Sequence, residues 1–252
     1  MPKDGHKHEA KYEEKHETRE GGEDARQNRQ DIKELFSELN AADEFYFADL
    51  NAINGSGVEG YAFITVERHG PGSADDVINV RMVAENLQAG LHIKHIHGFE
   101  GTPEEGKEAV TPTVAQHDTD GDGFVELAEG APAYGPILLN LTPFDDFLSD
   151  NSTIVYNQSF HLPSGDKTHD DAAHSGDGIK SFNNLDLNHF VIHGLRVDPS
   201  VGAGTPGEVG VADTDVYKEV LPVSVGEIEQ VSLGQAHQFL KQAYAEGFDF
   251  IV

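Results

Sequence analysis

Three histidines stand close together in one short stretch of the sequence, and a fourth lies in a later apolar run. "LHIKHIHGF" contains His92, His95 and His97, and "HFVIHGL" contains His193. Alternate side chains of a strand share a face, so His95 and His97 point the same way. Together with His193 they form a three-nitrogen site suited to zinc or copper, with His92 as a further candidate ligand. A polar patch of hydrogen-bonded histidines is the alternative.

A second stretch, "DTDGDGFVELAE" at residues 118–129, has the spacing of a twelve-residue calcium loop of the EF-hand type. The oxygen ligands that this spacing predicts for calcium come from Asp118, Asp120, Asp122, Phe124 (by its carbonyl), Glu126 and Glu129. Gly123 permits the sharp turn, and we expect Gly130 and Pro132 to end a short exit helix. Since no second loop follows, the pattern favours structural bracing over a sensor. A solvated acidic turn is the alternative.

A third group of candidate ligands lies in a long segment at about 161–186. These candidates for a second transition-metal site are His161, His169, His174 and Asp177. Loops of this length in a compact domain are usually functional or ordered by a metal. A mobile histidine-rich loop is the alternative explanation.

Short β-type runs must position these residues. From Phe45 onward, at least seven runs alternate apolar and polar residues and are separated by Gly, Pro, Asn and Asp. This pattern predicts a mainly β fold, an antiparallel sandwich or barrel, over residues 43–230. Inserts at about 100–134 and 161–186 interrupt it. Residues 1–42 predict a charged, disordered arm followed by a short helix, and residues 231–252 predict a helix stopped by Gly247.

Composition excludes several classes of function. The formal net charge is -28, which argues against nucleic acid as a partner and favours metal cations. The chain contains no cysteine, so thiolate sites and disulfides are impossible. No apolar run approaches the length of a membrane span, and the N-terminus lacks the apolar region of a secretory signal. Self-association is left open.

The chain resembles two groups of β-rich proteins. "LNAINGSGVEGYAFITV", "HIKHIHGFEG", "YGPILLNLTP" and "VIHGL" are similar to CHRD domains over roughly residues 45–228. This resemblance implies an immunoglobulin-type sandwich. A more distant similarity is to copper-zinc superoxide dismutase, in which a His-x-His strand and a late strand histidine hold copper. It implies copper ligation by His95, His97 and His193.

The dismutase resemblance also implies bridging and zinc roles for the group His161, His169, His174 and Asp177. That group follows the calcium loop, whereas dismutases place it soon after the His-x-His strand. The dismutase disulfide is impossible here, and the segment "LPVSVGEI" lacks the expected arginine. The resemblance therefore indicates a metal site more than it indicates catalysis.

Three hypotheses for function follow. The first is a non-enzymatic, metal-binding β-sandwich, extracellular or associated with the cell envelope, where millimolar calcium would fill even a weak site. The second is a copper/zinc redox enzyme of the dismutase type. The third is a structural or matrix protein in which calcium is the only ion.

Overall fold

The computed structural model describes residues 35–69, 76–99, 104, 106–141, 148–149, 152–161, 184–198, 200–201, 216–248 and 250. The predicted disordered arm lies outside them. Two units are distinguished, one ending at Ala41 and the other spanning Ala42–Phe250. In the first, residues 35–41 form helix α1, with Leu35 and Leu39 buried.

The second unit contains the strands and the remaining helices. Its described strands are β1 (Glu44–Ala52), β2 (Glu59–Glu67), β3 (Val77–Glu85), β4 (Gly90–Leu91), β5 (Lys94–His97), β6 (Ile137–Asn140), β7 (Leu148–Ser149), β8 (Ile154–His161), β9 (His189–Arg196), β10 (Tyr217–Glu227) and β11 (Glu229–Val231). Its described helices are α2 (Val114–His117), α3 (Leu127–Tyr134), the 3-10 turn Leu185–Leu187 and α4 (Leu233–Glu246). No helix in the described part of the chain is long and apolar enough to cross a membrane.

The large sheet is antiparallel and curls into two halves. Its strand order is β6-β5-β9-β10-β1-β2-β3-β8, and β11 also pairs with β1. We call β11, β1, β2, β3 and β8 sheet A, and β10, β9, β5 and β6 sheet B. The halves join at β1, where Phe45 pairs with Val231 of β11 and Asn51 pairs with Val225 of β10. The predicted mainly β, antiparallel sandwich with short flanking helices is confirmed.

Alternating side chains of both halves build the main core. Tyr46, Ala48 and Leu50 of β1 contribute to it from sheet A, and Phe190 and Ile192 of β9 contribute from sheet B. The alternation of apolar and polar residues in the sequence thus predicts a two-layered structure, because every second residue of a strand is buried between the sheets.

Helix α4 covers the outer face of sheet A. The ring of Phe239 stacks on Phe47 of β1, with ring centroids 4.4 Å apart. The side chain of Ser232 caps the first turn of the helix, and Gly247 ends the helix with a φ of 98°. The predicted C-terminal helix and its stop at Gly247 are confirmed.

The described part of the insert, residues 104 and 106–134, covers the outer face of sheet B. A second apolar cluster holds it there, composed of Ile53, Phe99, Ala109, Val125, Tyr134, Val191 and Val225. Helix α3 lies in this insert and passes through Gly130 and Pro132, so the prediction that these residues end the helix is wrong. The ring of Tyr134 occupies the space where a Cβ of Gly130 would stand, at 2.5 Å. Gly130 thus serves packing, and burial of Tyr134 outweighs the weak helix propensity.

Candidate metal centre

The histidine cluster, defined as His95, His97 and His193, lies on the outer face of sheet B. In β5, Ile96 points into the main core, so the histidines on either side of it point outward. In β9, Val191 belongs to the second apolar cluster on this outer face, and His193, two residues further along the strand, points the same way. Because β5 and β9 are neighbours, the alternation of both strands brings the three imidazoles to one place.

The three imidazoles are close enough to share one ion. Each offers a ring nitrogen, and these nitrogens lie within 4.8 Å of one another. Ring centroids are 5.6 Å apart for His95 and His97, 5.2 Å for His95 and His193, and 5.9 Å for His97 and His193. All three side chains are at most 3% exposed. The structure therefore brings together the three histidines that the sequence singled out.

Backbone carbonyls fix the orientation of two of these rings. Nδ1 of His97 lies 2.9 Å from the Gly135 carbonyl, and Nδ1 of His193 lies 2.8 Å from the Val220 carbonyl. A carbonyl can only accept, so Nδ1 of each ring donates and the lone pair of the neutral ring stays on Nε2. Among the described residues, Nε2 of His97 has no hydrogen-bond partner. This is the arrangement in which metal-binding histidines are normally held.

Burial keeps the His97 ring neutral. The pKa of His97 is lowered to about 3, chiefly by loss of hydration and secondly by the neighbouring His193. An imidazole binds a metal through its neutral form, so protons do not compete for the lone pair near neutral pH.

The structure places two other predicted nitrogen ligands, His92 and His161, away from the histidine cluster. The ring nitrogens of His92 face two backbone carbonyls, Nδ1 at 2.9 Å from His193 O and Nε2 at 2.6 Å from Gln88 O. His161 is exposed at the end of β8, in sheet A. The remaining candidates of that group, His169, His174 and Asp177, lie outside the described residues. The structure thus does not join His92 or His161 to the histidine cluster.

A fourth outward histidine of sheet B, His189, was missed by the sequence reasoning. It pairs with His97 across the strands and is 1% exposed. Its Nε2 lies 2.8 Å from Thr111 Oγ1, and its Nδ1 has no hydrogen-bond partner among the described residues. Burial lowers its pKa to about 4. The spacing of 189, 191 and 193 in one apolar strand was the signal that could have found it.

The end of α3 covers the cluster. The ring of Tyr134 contacts His97, with centroids 4.5 Å apart, and Tyr134 is fully buried. The chain then turns at Gly135, whose φ is 85°, and passes against Gly98. A Cβ on Gly135 would stand 2.2 Å from the Gly98 carbonyl oxygen. Only glycine permits this approach, and the approach brings the Gly135 carbonyl to His97.

The acidic loop, residues 118–129, forms a second group of potential cation ligands. Carboxylate oxygens lie within 4.8 Å of one another in two overlapping sets, Asp118, Asp120 and Glu129, and Asp120, Asp122 and Glu126. Gly123 has a φ of 93°, as expected for the sharp turn. The pKa of Asp122 is raised, first by burial and then by the charges of Asp120 and Asp118. A cation would relieve this repulsion.

Contacts within the loop already point several oxygens inward. The Asp118 carboxylate accepts from the backbone N–H of Gly121 at 2.7 Å and of Gly123 at 2.9 Å. Oε1 of Glu129 accepts from the N–H of Thr119 at 2.6 Å. The side chain of Phe124 packs against the main core, and its N–H donates to Asp122 Oδ1 at 2.8 Å.

Nitrogen donors and oxygen donors are thus separated into two sites of different chemistry. Buried imidazoles suit zinc or copper, and clustered carboxylates suit hard cations. The sequence matches no protein-family model, and comparison with the curated proteins finds no significant match. The function therefore has to be argued from the two sites.

Proposed function

We propose that the protein is a non-enzymatic, metal-binding β-sandwich protein that holds zinc or copper at the histidine cluster and calcium in the acidic loop. One observation carries the proposal for the cluster. The Gly135 and Val220 carbonyls hold the rings of His97 and His193 in the form that leaves Nε2 able to bind a metal. A patch of merely hydrogen-bonded histidines would use Nε2 of His97 for a hydrogen bond, and among the described residues that nitrogen has no such partner.

Enclosure of the cluster favours a structural ion over a catalytic one. His97 and His193 are each 1% exposed, and Tyr134 lies over His97. A catalytic metal keeps one coordination position open to substrate, whereas a structural metal is closed off by protein. The dismutase-like alternative needs a small anion to reach the ion, and the described residues provide cover at that place.

Metal analysis of the full-length protein, purified without an affinity tag, tests the proposal. We expect the purified protein to contain one equivalent of zinc or copper. After removal of that metal, we expect it to bind one equivalent of added Co²⁺, with the visible spectrum of nitrogen coordination. Copper together with zinc would favour the dismutase alternative, and calcium alone would favour the structural or matrix alternative. A protein that takes up no zinc, copper or Co²⁺ would contradict the histidine proposal.

Calcium is expected to stabilise the fold through the acidic loop. At a concentration 100 times Kd it would contribute about 2.7 kcal/mol, which in a chain of this size raises Tm by about 5–10 °C. Asp118→Asn should remove most of this rise, because Asp118 occupies the first ligand position. The measurement is thermal unfolding with calcium and with a calcium chelator.

Glu59→Gln is the matched control for this prediction. Glu59 is an exposed carboxylate of β2 outside the acidic loop, so its replacement should leave the calcium effect unchanged. If the Tm of the wild-type protein is the same with calcium and with chelator, the loop is an acidic turn only.

A calcium-binding role also bears on where the protein acts in relation to the cell. We place the protein outside the cell or in the cell envelope, because millimolar calcium there would fill a single, unpaired loop. The similarity to CHRD domains supports the proposal of a β-sandwich protein, because that resemblance implies the same type of fold. It assigns no reaction to the chain.

A further inference from the structure

The histidine cluster is buried and the insert forms part of its cover, so an ion can enter or leave only when part of this cover moves. His95 is 3% exposed, and His97 and His193 are 1% exposed. The nearest part of the cover is the end of α3, through the Tyr134 ring and the Gly135 carbonyl. Whatever holds the insert to the sheet therefore controls exchange of the ion.

Apolar contacts between the insert and sheet B are few. From the described residues, the second apolar cluster receives Ala109, Val125 and Tyr134 of the insert, with Ala131 packed against it, and Val191 and Val225 from the strands of sheet B. Phe124 of the insert packs separately against the main core. The second apolar cluster is much smaller than the main core between the sheets. Polar contacts at its edge, among them the hydrogen bond between Thr111 and His189, add to this attachment.

Asn54, in the turn between β1 and β2, makes such a contact. Its Oδ1 accepts from Val125 N–H at 2.7 Å, and its Nδ2 donates to the carbonyls of Val125 and Pro222, each at 2.9 Å. Asn54 is 8% exposed and Val125 is fully buried, so water does not replace these bonds in the closed state. One amide side chain thus joins the insert to β10.

Both ends of this connection lead to the histidine cluster. Val125 is followed by α3, which carries Tyr134 to His97. Pro222 is the pairing partner of His193, at a place where the β9–β10 register is irregular. Val125 and Tyr134 also belong to the same apolar cluster, so holding Val125 supports the packing of Tyr134 over His97.

We propose that Asn54 is a positioning residue of the histidine site, holding the insert closed over the cluster and thereby setting the rate of metal exchange. The proposal rests on the proposed function of the cluster. Among the described residues, the Asn54 side chain bonds to Val125 and Pro222 and not to the three histidines. It acts through Val125 on α3 and through Pro222 on the strand of His193.

Asn54→Gly is the variant that tests this role. Asn54 has a φ of 58°, a conformation that glycine adopts without strain, so the turn keeps its backbone. The turn also remains tied to β10, because Ile53 N–H and Ser56 Oγ both donate to the Val223 carbonyl. Only the side-chain bonds to the insert and to Pro222 are lost.

The readout is replacement of bound Co²⁺ by excess Zn²⁺ in the full-length protein, followed by the visible absorption of Co²⁺. We expect Asn54→Gly to exchange about 10- to 100-fold faster than wild type, on the scale of the three hydrogen bonds that it loses. Asn51→Ala, an exposed asparagine at the end of β1, should exchange at the wild-type rate. Val80→Ala, which weakens the main core, should lower stability without accelerating exchange.

Hydrogen–deuterium exchange of the metal-free protein gives a second, independent measurement. Asn54→Gly should lose protection at backbone amides 125–135 and keep it in β1, β2 and β3. Equal Co²⁺ exchange rates in Asn54→Gly and wild type would overturn the inference. If the wild type binds no Co²⁺, the proposed function of the cluster fails. The role of Asn54 in holding the insert is then tested by hydrogen–deuterium exchange alone, and unchanged protection of residues 125–135 in Asn54→Gly would overturn it.

Discussion

Replacing His97 or His193 with asparagine is expected to lower the affinity for Co²⁺ by at least about 100-fold. Altering residues that only support a ligand already costs 10- to 100-fold, and these substitutions remove the ligand itself. Asparagine places its amide nitrogen near the position of Nδ1, so it can still donate to the Gly135 or Val220 carbonyl. Each variant thus keeps the hydrogen bond and loses Nε2. Titration with Co²⁺ measures the affinity.

His161→Asn serves as the control, because this exposed histidine at the end of β8 lies in sheet A. It should bind Co²⁺ as the wild type does. Circular dichroism should show the same β content for all variants. If His97→Asn and His193→Asn both retain wild-type affinity, the ion is bound elsewhere in the chain.

Gly135→Ala is expected to destabilise the protein by about 3 kcal/mol or more, the largest effect on stability among the predicted variants. The backbone of Gly135, with a φ of 85° and a ψ of 178°, alone costs an alanine about 1–3 kcal/mol. The added Cβ would also stand 2.2 Å from the Gly98 carbonyl oxygen, and a backbone atom of a buried strand end cannot move aside cheaply. Urea unfolding measures the change.

Gly234→Ala is the matched control for this variant. Gly234 lies in the first turn of α4, and a Cβ built on it meets nothing within 4 Å. Alanine there should be neutral or stabilising by up to about 1 kcal/mol, because it favours the helix. If Gly135→Ala is as stable as Gly234→Ala, the close approach of Gly135 to Gly98 is not required for the stability of the protein. Because Gly135 also orients His97, Co²⁺ affinity should fall with stability in the first variant only.

The strand pattern made the histidine cluster predictable. Alternation is a local property, so it shows that His95 and His97 share a face without any knowledge of the fold. The apolar neighbours of His193 likewise identify a buried strand. Pairing of β5 with β9 was supplied by the structure, and it decides that the three rings meet on one face.

The cover of the cluster could not be predicted in the same way. The contacts of Asn54 with Val125 and Pro222 join segments far apart in the chain, and no local pattern specifies them. For the same reason the sequence indicated neither Tyr134 over His97 nor the hydrogen bond from Nδ1 to Gly135. Long-range packing also explains why α3 continues past Pro132 despite its composition.

The acidic loop is the opposite case. Its spacing predicted the turn at Gly123 and the clustering of carboxylates, because loop geometry is fixed by nearby residues. Attachment of the loop to the sheet was not predictable, since it depends on the burial of Val125.

The meeting of Gly98 with Gly135 limits how chains of this fold can diverge during evolution. A Cβ on Gly135 would overlap the backbone of Gly98, and a Cβ on Gly98 would overlap the side chains of Asn188 and Leu138, so neither glycine can change alone to another residue. The stretch between them can change in length and composition, provided that its two ends still meet. Distant descendants of such a chain should therefore share a glycine directly after a His-x-His strand and another directly after a helix-ending aromatic residue. That pair would identify a relative after overall sequence similarity has been lost.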